Sequence, residues 1–168
     1  MPIKSVLGDT LEVMEPQKRF VVIQIPDLSW PRTLEVPSKR FRLLVAGDTT
    51  HLTTEDIADF TLAALNQGMV YFCSWGPDCE RFHDIVDDVI LGDSLTRQRF
   101  AGPKSSDVIM TTRHAHETLE EVLDFFAISA VPTEGFAAES DFRVVICVGN
   151  SVWAATANKF LQSAEFFV

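Results

Sequence analysis

Cys79 and His83 stand four residues apart, just after Gly76-Pro77, in a stretch with helical period. A thiol in the first turn of a helix feels the positive end of the helix dipole, which favours thiolate, and a histidine one turn on can act as its base. Nucleophilic or redox chemistry is one reading of this pair. The other follows from the same spacing: Cys79 lies three residues before Phe82 and seven before Val86, inside an apolar stripe where burial makes a thiol inert. His114 and His116 have the i, i+2 spacing that turns two rings to one side of an extended segment, with Glu117 beside them. Either imidazole could serve as a base, and His51 and Cys79 could join them around a cation. However, no long-range spacing matches a zinc pattern, and no metal site is assigned.

The string Trp75-Gly76-Pro77-Asp78-Cys79 resembles a scrambled form of the thioredoxin active-site motif, in which tryptophan precedes two cysteines flanking Gly-Pro. The resemblance covers five residues and lacks the first, attacking cysteine. Gly76 follows Trp75 directly and Cys73 precedes the turn, so the disulfide chemistry of that family is not implied. Walker loops, G-x-G-x-x-G, G-x-S-x-G and H-E-x-x-H are all missing, and no cofactor is specified.

These residues acquire meaning from the elements that carry them. From residue 41 onward, short β-branched and aromatic runs alternate with longer segments of helical period, the pattern of a parallel sheet covered on both faces. Strands are expected at 41–47, 69–75, 107–113 and 142–149. Helices are expected after Thr53, after Gly76-Pro77 to about Leu91, after Thr118, and after Asn150. Thr53 with Asp56 and Thr118 with Glu121 read as capping boxes. Pro132 is expected to end the third of these helices, and the polar stretch 92–106, with Gly102-Pro103, to form a loop, broken helix or lid. Upstream, 19–26 reads as an edge strand, antiparallel or parallel, followed by a Pro-rich stretch to 37 without a crossover helix. The expected fold is therefore a single α/β domain over 1–168: a Rossmann-like three-layer α/β/α sandwich with a mostly parallel sheet of about five strands and an N-terminal edge strand.

Right-handed crossovers deliver the carboxyl ends of parallel strands to one rim, where ligands bind in open sheets. That rim should collect Asp48 and His51, Trp75 with Cys79, Arg113 with His114, His116 and Glu117, and finally Asn150 and Ser151. Arg113 could hold an anionic ligand or pair internally with Asp48, Asp78 or Glu117.

The chain of 168 residues carries a formal net charge of −10. Such a field repels nucleic acid, whose affinity comes mainly from lysine and arginine at phosphates, and attracts basic proteins. Three cysteines, two of them within apolar runs, suit reduced thiols in a cytoplasmic protein of bacterial type. No apolar run approaches the roughly 20 residues of a membrane span, and the first residues lack a signal region. Asp84, Asp87 and Asp88 on the second helix, with Trp30 on a loop, are candidate contacts for a basic protein partner. The apolar ending Phe166-Phe167-Val168 could dock on the core or form a dimer.

The expected function is that of a small acidic protein which binds a partner protein, in an accessory or immunity-type role, without catalysis of its own. The alternative is a thiol- or histidine-dependent enzyme or small-ligand sensor using the rim.

Overall fold

The computed structural model describes residues 3–7, 10–14, 19–32, 34–92 and 94–163. Five strands form an all-parallel sheet: β3 (Phe20–Ile25), β4 (Phe41–Ala46), β5 (Met69–Trp75), β6 (Met110–His114) and β7 (Arg143–Val148). Their order is β3-β7-β4-β5-β6, and an antiparallel hairpin of β1 (Ile3–Leu7) and β2 (Thr10–Met14) extends the sheet beyond β3. Strand 19–26, expected at an edge, is instead interior, parallel to both β1 and β7, because the preceding hairpin adds to its outer side and leaves β2 as the antiparallel edge. Strand β4 and nearly all of β3, β5 and β7 are buried, which explains their largely apolar character: helices cover both faces, so neither face favours polar residues. β6 is the outermost parallel strand, and only its last residue, His114, is buried.

The helices divide by face. α1 (Thr54–Gln67) and α2 (Cys79–Leu91) pack together on one side, and α4 (Leu119–Ile128) and α6 (Ser151–Ser163) on the other. Alternation along β5 identifies the faces: Phe72 stacks on Phe82 of α2 at 5.1 Å, and Trp75 meets Trp153 of α6 edge-on at 5.0 Å. Capping follows the local signals. Thr53 with Asp56 and Thr118 with Glu121 form complete capping boxes, Gly68 ends α1 with a left-handed backbone, and the Asn150 side chain accepts from the amides of Val152 and Trp153.

Three boundaries depart from expectation. The third strand of the 41–168 series begins at Met110 rather than 107, because Asp107 is occupied as an acceptor for the amides of Lys104 and Gly135. α4 ends at Ile128, before Pro132, and a further short helix, α5 (Glu134–Ala137), follows it. The stretch expected as a loop or lid contains α3 (Ser94–Arg99).

Trp30 does not stand out as an exposed anchor. Its ring packs on Phe41 and Phe60 at 5.6 and 5.8 Å, covering the core. The ending Phe166-Phe167-Val168 lies outside the described residues. No helix among the described residues is long and apolar enough to cross a membrane.

Candidate functional site

Parallel register brings Ala46, Trp75 and His114 level, with Cys147 beside Ala46, so the loops after these strands share one rim. At Gly76 the backbone turns sharply out of β5 with φ 116°, and the amide of Gly47 donates to the carbonyl of Trp75 at 3.0 Å. A Cβ on Gly76 would lie 2.2 Å from the Gly47 carbonyl oxygen, so only glycine lets the two turns approach this closely. Beyond the ends of β5 and β6 opens a cleft of about 480 Å³, lined by Trp75, Asp78, Cys79, Glu80, His114 and Glu117 among others.

His114 is the most constrained group at the cleft. Its side chain is 5% exposed, its Nδ1 faces Glu117 Oε2 at 2.5 Å, and its Nε2 lies 2.9 Å from Thr112 Oγ1. The ring also lies against Phe125 of α4, 4.7 Å between centroids. Thr112 in turn reaches Cys73 Sγ at 3.2 Å, and the Trp75 indole donates to the Glu117 carbonyl at 2.8 Å. Glu117, His114 and Thr112 therefore form a hydrogen-bonded line from the cleft into the sheet. This line orients the imidazole and occupies both of its nitrogens.

Cys79 takes the structural reading. It is 2% exposed, and burial pushes its thiol up, away from thiolate. His83 does not pair with it. The His83 ring turns to β6, with Nδ1 3.0 Å from Asp84 Oδ1 and Nε2 3.0 Å from Thr111 Oγ1, and Thr111 donates to Asp87 at 2.5 Å. The cysteine and the histidine thus leave α2 in different directions, and the nucleophile-base pair that their spacing allowed is not assembled.

Burial also pushes the thiols of Cys73 and Cys147 up to about 12. Native protein at about pH 8 should therefore leave all three thiols unreactive toward a disulfide reagent until denaturant is added. Rapid labelling of Cys79 in the folded state would reject this assignment. Linkage gives a second expectation. A folded pKa raised above the unfolded value of 9.0 stabilises fully below that value and loses its contribution as pH climbs toward about 12. The denaturant midpoint should accordingly fall between about pH 9 and pH 12, and Cys147→Val should lessen the fall. An unchanged slope in that variant would exclude Cys147 as a cause.

The remaining rim residues spread along the edge. Asp48 closes its own turn by accepting from the Thr50 hydroxyl and amide, which hold its carboxyl below the ordinary value. His51 and His116 are exposed, and His116 is not drawn to His114, because the strand ends at His114 and the chain bends. Among the described residues no three His, Cys, Asp or Glu side chains gather as a metal site. Asn150 is used as a helix cap, and Ser151 is exposed at the first position of α6. Arg113 points away from the cleft, and its Nη1 pairs with Asp84 Oδ1 at 3.3 Å rather than with Asp48, Asp78 or Glu117. Asp78 is taken instead by Arg81 at 2.7 Å.

Asp84 and Asp87 thus border β6, and Asp88 is exposed on the same helix. Thr111 and Thr112 escaped sequence reasoning, although strand alternation offered the signal: Thr112 shares a face with His114, and Thr111 shares one with Arg113. The exposed apolar side chains near this edge, Leu91, Leu95, Val108 and Met110, were also not anticipated. Leu91, Leu95 and Met110 sit near element ends and Val108 lies just before β6, where periodicity says little.

Residues 23–164 match the model of a family described as a domain of unknown function, DUF7684. No curated protein and no solved structure matches the chain.

Proposed function

The chain belongs to the DUF7684 family, and from that premise and the rim geometry we propose that it is a non-catalytic binding protein which docks a basic protein partner, in an accessory or immunity-type role, on the face made by α2 and β6. One observation carries this reading: the outermost parallel strand begins at exposed Met110, two residues after exposed Val108, and is met by the α2 carboxylates Asp84 and Asp87 through Arg113 and Thr111. Apolar area supplies affinity, and charge supplies encounter rate and selectivity. Three of the four candidate catalytic groups support the same reading, since Cys79 is buried and the ring nitrogens of His83 and His114 are engaged within the chain, while His116 is exposed.

The test is recovery of the partner on wild-type protein and on the double variant Asp84→Asn/Asp88→Asn. A basic partner should associate several-fold more slowly with the variant. Its retention on wild type should weaken as ionic strength rises from about 0.1 to about 1 M, where screening shortens from about 10 to about 3 Å. A partner without basic character, held equally by both proteins at all salt concentrations, would remove the proposal.

The cleft of about 480 Å³ favours a second reading, a small-ligand sensor or histidine-dependent enzyme in which His114 and Glu117 contact the ligand. A small molecule that quenches tryptophan emission in wild type but not in Trp75→Phe would support it. Failure to find such quenching across a metabolite set would count against it.

A further inference from the structure

β6 ends the sheet, and among the described residues no strand pairs with its outer side. In a parallel strand the backbone groups alternate in direction, so an outermost strand presents unfilled N–H and C=O groups along its open side. α2 covers one face of this strand, and its Asp84 and Asp87 reach β6 through Arg113 and Thr111. At the amino end of the same strand lies a groove of about 270 Å³ whose walls include Ile90, Leu91, Phe100 and Ile109, with Arg97 and Asp107 also on its lining. Open backbone groups, a largely apolar groove and carboxylates are therefore all found at this one strand.

We propose that the partner contributes a basic, extended segment that adds to the sheet along β6, seating an apolar side chain in the groove and setting lysine or arginine beside Asp84 and Asp87. This inference rests on the partner-binding reading above and specifies its mode. Main-chain hydrogen bonds to β6 supply affinity, and the alternating side chains of the added strand supply selectivity. Charge decides the occupant. A second copy of the chain would bring another net −10 and, in symmetric pairing, would set two α2 carboxylate groups beside one seam. A cationic segment meets the opposite field.

The probe is a synthetic peptide of alternating lysine and valine, compared with the same peptide methylated on its backbone nitrogens, with hydrogen exchange followed on the amides of 110–114. The unmethylated peptide should bind and slow exchange in this strand, and methylation should weaken binding about tenfold or more. Equal binding by both peptides without protection of 110–114 overturns strand addition but leaves an electrostatic partner surface intact. Failure of the unmethylated peptide to bind also overturns it, even where the salt-sensitive basic partner is still recovered. Protection of 110–114 that grows with protein concentration in the absence of peptide assigns the edge to a second copy and overturns the proposal.

Discussion

Gly76→Ala should destabilise the domain by about 3 kcal/mol or more, measured as a lowered midpoint in urea unfolding. Two costs coincide at this position. The backbone sits at φ 116°, which L residues adopt only under strain. The added methyl would also lie 2.2 Å from the Gly47 carbonyl oxygen, a backbone atom that cannot swing aside. Relief requires the turn after β5 to separate from the turn after β4, stretching the bond from the Gly47 amide to Trp75 and the bond from the Thr49 amide to the Pro77 carbonyl. Those bonds position the walls of the cleft, so the variant should also alter the environment of Trp75. Gly149→Asn provides the contrast. Its φ of 65° lies in the left-handed region that asparagine tolerates, and the nearest atom to an added Cβ is Pro26 O at 3.5 Å. The cost there should stay below about 1 kcal/mol. Equal losses at the two sites would refute the steric account of Gly76.

Phe82→Ala should cost about 4 kcal/mol, within the range of large-to-small aromatic replacements. Phe82 is 1% exposed, stacks on Phe72 of β5 at 5.1 Å and meets Phe60 of α1 edge-on at 6.2 Å. It is the ring through which α2 is anchored to the sheet and to its neighbouring helix. Truncation leaves a cavity at that three-way contact and loosens α2, which carries both the cleft residues Cys79 and Glu80 and the carboxylates beside β6. Phe82→Leu refills part of the space and should cost only about 1 to 2 kcal/mol. If alanine and leucine cost the same, packing volume is not what Phe82 supplies. Should the alanine variant remain folded, faster hydrogen exchange across α2 than across α4 would place the loosening where the packing predicts.

Local chemistry was legible in the sequence wherever its cause lay within a few residues. The alternation of strands and helices, the capping boxes at Thr53 and Thr118, the cap at Asn150 and the stop at Gly68 each depend on neighbours along the chain, and the structure has them. The shared rim followed too, because the hand of a parallel crossover fixes which end of each strand meets the loops. Spacing on α2 carried two readings for Cys79, since the first turn of a helix and the edge of an apolar stripe coincide there.

What composition and periodicity determined was therefore an acidic α/β domain with its polar loops gathered on one rim. Only the tertiary structure decided that β7 inserts between β3 and β4, that β6 is left outermost among the parallel strands, that Arg113 pairs with Asp84, and that His83 turns to Thr111 while Cys79 is buried. Each of these depends on which distant segments become neighbours. Side-chain direction and partner choice are set by the whole packed core, and no local pattern encodes them.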